Sequence, residues 1–97
     1  MDCKLLRVPK TIDAGDTFTC IVSVTDGTPG QTCHVAVWRT MPTPELDLGD
    51  DAQTLDAEGG QTFAFKIRLN KVGINVVHAE AQTESAFASS SKGLTVE

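Results

Sequence analysis

Ninety-seven residues are enough for one hydrophobic core and leave no length for a second domain. An apolar share of 40% with 22% charged residues is that of a globular chain, so a disordered tail is excluded. Thirteen acidic against eight basic residues give a net charge of −5 with no basic cluster, which argues against nucleic acid and anionic membranes as partners.

The opening "MDCKLLRVPK" lacks the apolar run of a secretory leader, so if Met1 is the native start the expectation is folding in a cytosol. No stretch approaches the roughly 20 apolar residues of a membrane span. "CKLLRV" reads as a first strand. "DTFTCIVSVT" sets Phe18, Cys20, Val22 and Val24 on one face and Thr17, Thr19, Ser23 and Thr25 on the other, the alternation of a half-buried strand. "CHVAVWRT" is a further strand. "MPTPELDLGDD" carries two prolines and reads as a loop or short edge strand, because proline cannot donate to a central ladder. "QTFAFKIRLN" turns Phe63, Phe65, Ile67 and Leu69 inward, and "GINVVHAEAQT" is another alternating run. "QTESAFASSS" reads as a polar loop entering a last strand, "SKGLTVE", with the weaker segment "FASSS" as a candidate extension of that strand. Turn signals at 13–16, 26–31, 58–61 and 70–73 separate the runs. Short strands and frequent turns predict an all-β, antiparallel sandwich of about seven strands.

The series "AGDTFTCIVSVTDG", "VAVW", "LDAEGGQTFAFKIRL", "VGINVVHAEAQT" and "KGLTVE" resembles the immunoglobulin-like superfamily, closest to bacterial and phage modules that include cell-adhesion-related domains. The resemblance implies a Greek-key β-sandwich and little about function, since that architecture hosts unrelated roles. Two departures stand out. The chain has no tyrosine for a tyrosine corner, and no cysteine falls near Val77, His78 and Ala79 to complete an inter-sheet disulfide.

Cys20 and Cys33 pose the main covalent question. A two-residue turn at Asp26-Gly27 would set them directly opposite, where a disulfide is permitted. A loop centred between Thr28 and Pro29 would offset them by about 13 Å and forbid it. The resemblance implies a third arrangement, with the two cysteines in different sheets. Free, half-buried thiols are the expectation, with Cys3 unpaired in every case. Cys3, Cys20, Cys33, His34 and His78 contain no Cys-x-x-Cys knuckle for zinc. The acidic stretch Glu45, Asp47, Asp50, Asp51, Asp56 and Glu58 does not follow the calcium-loop spacing and reads as solvated. Gly59-Gly60 lacks the Lys-Ser/Thr that a phosphate loop needs.

No nucleophile, base and stabiliser can be assembled, so no catalytic residue and no cofactor are expected. The serines of "ASSSKG" have no base that the sequence places beside them. Trp38 is expected in the core by the resemblance; were the valines of its strand inside instead, it would stand outside next to Thr40 and Met41 as an interface anchor. On the strand after Gly73, the set Val77, Ala79 and Ala81 points in, which leaves Ile74, Val76 and His78 outside as a modest apolar patch. The candidate interface is therefore Trp38, Met41, Ile74, Val76 and His78. The functional expectation is a non-catalytic structural protein, a phage capsid-decorating or cementing protein, made in the host cytoplasm and bound as an oligomer to a repeating virion lattice. The alternative is an adhesion or spacer module at a bacterial surface, for which a sugar-stacking platform finds few free aromatics.

Overall fold

The computed structural model describes residues 1–97 as eight strands with no helix: β1 (Asp2–Leu6), β2 (Thr11–Ile12), β3 (Thr17–Thr25), β4 (Thr32–Met41), β5 (Leu46–Thr54), β6 (Gln61–Arg68), β7 (Gly73–Gln82) and β8 (Phe87–Val96). They form a three-stranded sheet ordered β1-β3-β6 and a five-stranded sheet ordered β2-β8-β7-β4-β5. The expectation of an all-β chain holds. The strand count is eight, and the pairing is mixed, because the two-residue β2 runs parallel to β8.

The inner faces are those the alternation dictates. Cys20, Val22, Val24, Phe63, Phe65, Ile67 and Leu69 from the smaller sheet meet Cys33, Val35, Val37, Val77, Ala79 and Ala81 from the larger one, all buried. Burying this many apolar side chains, each worth about 1.5–3 kcal/mol, is what opposes chain entropy here. The sheets are stitched at both flanks. The Leu5 N–H donates to Ser90 Oγ, and Gln53 Nε2 donates to the Thr62 carbonyl.

β5 is longer than the prolines suggested. It pairs with β4 from Thr54 down to Leu46, on the open edge of the sheet where prolines 42 and 44 interrupt nothing. Its register slips between Val37 and Trp38, so Leu48 is the extra residue and packs against the core. β8 begins at Phe87, so "FASSS" is part of the last strand, and only the residues before it form the loop.

The cysteine question resolves through topology. β3 and β4 lie in different sheets, so neither hairpin register exists. All three cysteines are free and buried, Cys3 opposite Val24, Cys20 opposite Phe65 and Cys33 opposite Gln53. The segment between β3 and β4 crosses the end of the molecule, where Gly27 N–H donates to the Gly59 carbonyl and Gly30 N–H to the Leu55 carbonyl.

Candidate functional site

The five-stranded sheet has an outer face, and its make-up follows from strand parity and two irregularities. On β4, Cys33, Val35, Val37 and Arg39 point inward, which turns His34, Ala36 and Trp38 outward. Trp38 therefore does not fill the core. The expectation failed because the two valines and Cys33 already occupy the inner positions of this strand, and a strand cannot send neighbours to the same side. Plain alternation would then bury Met41. The register against β7 slips between Arg39 and Met41, Thr40 is the extra residue with its Oγ1 donating to the Val76 carbonyl, and Met41 is re-aimed outward opposite Val76.

On β7 the inward set is Asn75, Val77, Ala79 and Ala81, so Ile74, Val76, His78, Glu80 and Gln82 face out. All five candidate interface residues thus share one face. Met41 and Ile74 are 58% and 72% exposed, while Trp38, Val76 and His78 are half-buried among their neighbours. Trp38 stands opposite His78, their ring centroids 4.6 Å apart at an interplanar angle of 57°. His78 Nδ1 is hydrogen-bonded in turn to Ser91 Oγ on β8. One row across the sheet therefore reads Ser91, His78, Trp38, Asp47.

The lower end of this face is held from inside. Buried Asn75 donates through Nδ2 to the Lys71 carbonyl at 2.8 Å and the Gly73 carbonyl at 3.1 Å. Arg39, 5% exposed, donates through Nη2 to the Pro44 carbonyl at 2.9 Å, and Lys71 Nζ donates to the Thr43 carbonyl at 2.6 Å. These bonds tie the β4–β5 and β6–β7 loops together at the end of the face where Met41 stands opposite Val76. Arg39 Nε and Asn75 Oδ1 are buried without a partner.

Sequence reasoning missed three members of the face. Ser91 was not placed beside a histidine, because the pairing of β7 with β8 is long-range. Asp47 and Phe87 both fall in stretches that read as loops, yet Asp47 lies beside Trp38 and Phe87 is 59% exposed on the same outer face, opposite Gln82. The Ser91–His78 contact is a nucleophile beside a base, but Trp38 stands between His78 and Asp47, so no carboxylate orients the imidazole.

The thiols and imidazoles are separated by the sheet itself. Burial pushes the Cys3 thiol up to about 11 and raises Cys20 and Cys33 as well, which keeps them protonated and unreactive at neutral pH. His34 and His78 are on the opposite, outer side, and no three His, Cys, Asp or Glu side chains converge to hold a metal ion.

No family model and no curated protein matches the chain. Solved structures do. The chain is similar to a superoxide reductase (neelaredoxin) from Ignicoccus hospitalis, with a TM-score of 0.75, 22% identity, and coverage of 100% of this chain and 81% of that one. It is also similar to macromomycin, with a TM-score of 0.60, 20% identity and coverage of 98% and 97%. A third match is the sulfur carrier protein SoxY from Chlorobium limicola f thiosulfatophilum, with a TM-score of 0.60, 9% identity and coverage of 98% and 76%. At these identities the likeness speaks to fold alone.

These neighbours correct two expectations. They belong to a different family of β-folds from the immunoglobulin-like superfamily, so that resemblance is withdrawn; short Gly-Asp and Gly-Gly turns before alternating strands are common to many two-sheet proteins. The virion-lattice function and the adhesion module were both built on that resemblance, so both are withdrawn with it. The name of the first neighbour invites a redox centre. The residues here do not fit one, because the thiols face the core and the imidazoles face solvent.

Proposed function

We propose that this chain is a non-catalytic binding protein, a Greek-key β-sandwich that recognises a protein partner through the outer face of its five-stranded sheet. The observation that carries the reading is the convergence of Trp38, Met41, Ile74 and Val76 on that face, with Met41 and Ile74 mostly exposed. Tryptophan and methionine are enriched at the centres of interfaces, and a solvent-facing cluster of this kind is costly unless something covers it. The register slip between β4 and β7 completes the cluster by turning Met41 outward. The chemistry is burial and shape, with no bond made or broken.

The test compares three baits in capture from the source organism: the natural chain, Trp38→Asp and Lys66→Asp. Lys66 is on the outer side of the other sheet. A partner held by the natural chain and by Lys66→Asp but lost by Trp38→Asp, and then rebound as a purified protein, supports the reading. Retention by Trp38→Asp, with its fold verified by circular dichroism, refutes it.

A further inference from the structure

The chemistry of that partner can be taken further, on the premise that the outer face is the binding surface. The charges on the face are one-sided. Its outward positions on β4, β5, β7 and β8 carry the carboxylates of Asp47, Asp50 and Glu80 and no lysine or arginine. The outer side of the three-stranded sheet is the reverse, with Lys4, Lys66 and Arg68 against Asp2.

The carboxylates are arranged about a small residue. Ala36 on β4 pairs with Asp50 on one side and Glu80 on the other. Strands lie about 4.8 Å apart, so the two acidic residues flank a lane about 10 Å wide between their Cα atoms. Ala36 and Ala52 floor it, and His34, Asp50, Glu80 and Gln82 wall an open groove of about 550 Å³. Two residues down β4 from Ala36 the lane ends at Trp38, beyond which the apolar cluster of Val76, Met41 and Ile74 begins.

We propose that this face docks an extended basic segment of a partner protein, with an arginine or lysine seated over Ala36 between Asp50 and Glu80 and an aliphatic side chain on Met41, Val76 and Ile74. Charge complementarity selects the occupant. An anionic strand is repelled by three carboxylates, and a second copy docking by the same face would bring Asp47, Asp50 and Glu80 against their own kind. A cation entering the lane meets a carboxylate on each side, with the indole of Trp38 next along β4. The contact is small, which places it among transient interfaces with affinities on the order of 10–100 µM for an isolated peptide.

Trp38 is the only tryptophan, so its emission reports binding directly. The probe is a ten-residue peptide of alternating arginine and leucine, titrated beside an arginine-serine peptide, a glutamate-leucine peptide and spermine. Saturable binding of the first alone is expected, weakened about two- to fivefold by Asp50→Asn and again by Glu80→Gln, and unaffected by Lys66→Glu. Ala36→Arg, an outward substitution that fills the lane with the protein's own cation, is expected to abolish it. Equal binding by the carboxylate variants, an equal response to spermine or to arginine-serine, or self-association of the chain at the same concentrations would each overturn the proposal. If the natural chain ignores the arginine-leucine peptide while Trp38→Asp still loses its captured partner, the basic chemistry is wrong and the face reading stands. If Trp38→Asp keeps that partner, the face reading itself has failed.

Discussion

Replacing Trp38 by alanine separates an outward ring from a core ring by its cost. Trp38 leans on His78 across one strand gap and is half-buried in the outer surface. An aromatic pair contributes about 0.5–1.5 kcal/mol, and a cross-strand contact on an exposed face about 0.2–1 kcal/mol, so Trp38→Ala should cost about 1–2 kcal/mol. Phe63 is the internal standard. It has no exposed surface and pairs with Val22 on the inner face, so Phe63→Ala opens a cavity in packed surroundings and should cost about 3–5 kcal/mol. For a domain of this length each kcal/mol moves Tm by roughly 4–8 °C, so the two variants should melt well apart. Urea denaturation of both variants, at constant m, gives the comparison. A Trp38→Ala cost equal to or above that of Phe63→Ala would mean the ring is in the core, and the parity argument for β4 would fall with it.

Three further outcomes follow from local geometry. Asn75→Ala removes a buried side chain and strips the part-buried carbonyls of Lys71 and Gly73 of their donor, and should lower stability by about 1–2 kcal/mol in the same urea assay. Gly59→Ala should cost about 2–4 kcal/mol, because its φ of 76° disfavours a side chain and a Cβ there would sit 2.0 Å from the Gly27 carbonyl oxygen; Gly30→Ala, with φ 83° and open space, should cost only about 1–2 kcal/mol. Alkaline pH should loosen the fold through the thiols. Their folded-state pKa values are raised, to about 11 for Cys3, above the ordinary 9.0, so the stability they contribute is intact below pH 9.0 and lost as pH climbs through about 11. Urea midpoints across that window should fall, and fall less in Cys3→Ala; a flat profile would show the thiols are not shielded.

The inner face of the fold was legible because it rests on a two-residue period that local sequence carries. Phe63, Phe65, Ile67, Val77, Ala79 and Ala81 are all where alternation puts them. Trp38 was misread because ring size and a family resemblance were weighed above the valines on its own strand. Met41 was reachable only through a bulge, and a bulge depends on the register of the neighbouring strand, which short segments do not encode. β5 was foreshortened because its prolines precede the strand instead of interrupting it, and β2 is too brief to leave a pattern. The outward set Ile74, Val76 and His78 was visible from β7 alone. The Ser91 partner of His78 and the Asp50–Ala36–Glu80 row were not, since each joins strands that are far apart in the chain.

Acrylamide quenching of the lone indole, measured with the chain free and then saturated with its purified partner, addresses the surface assignment most directly. Facing outward, Trp38 should be reachable by the quencher in the free protein and shielded once the partner is seated. An indole already inaccessible when free, or one whose quenching is unchanged in the complex, would contradict a binding surface on the five-stranded sheet.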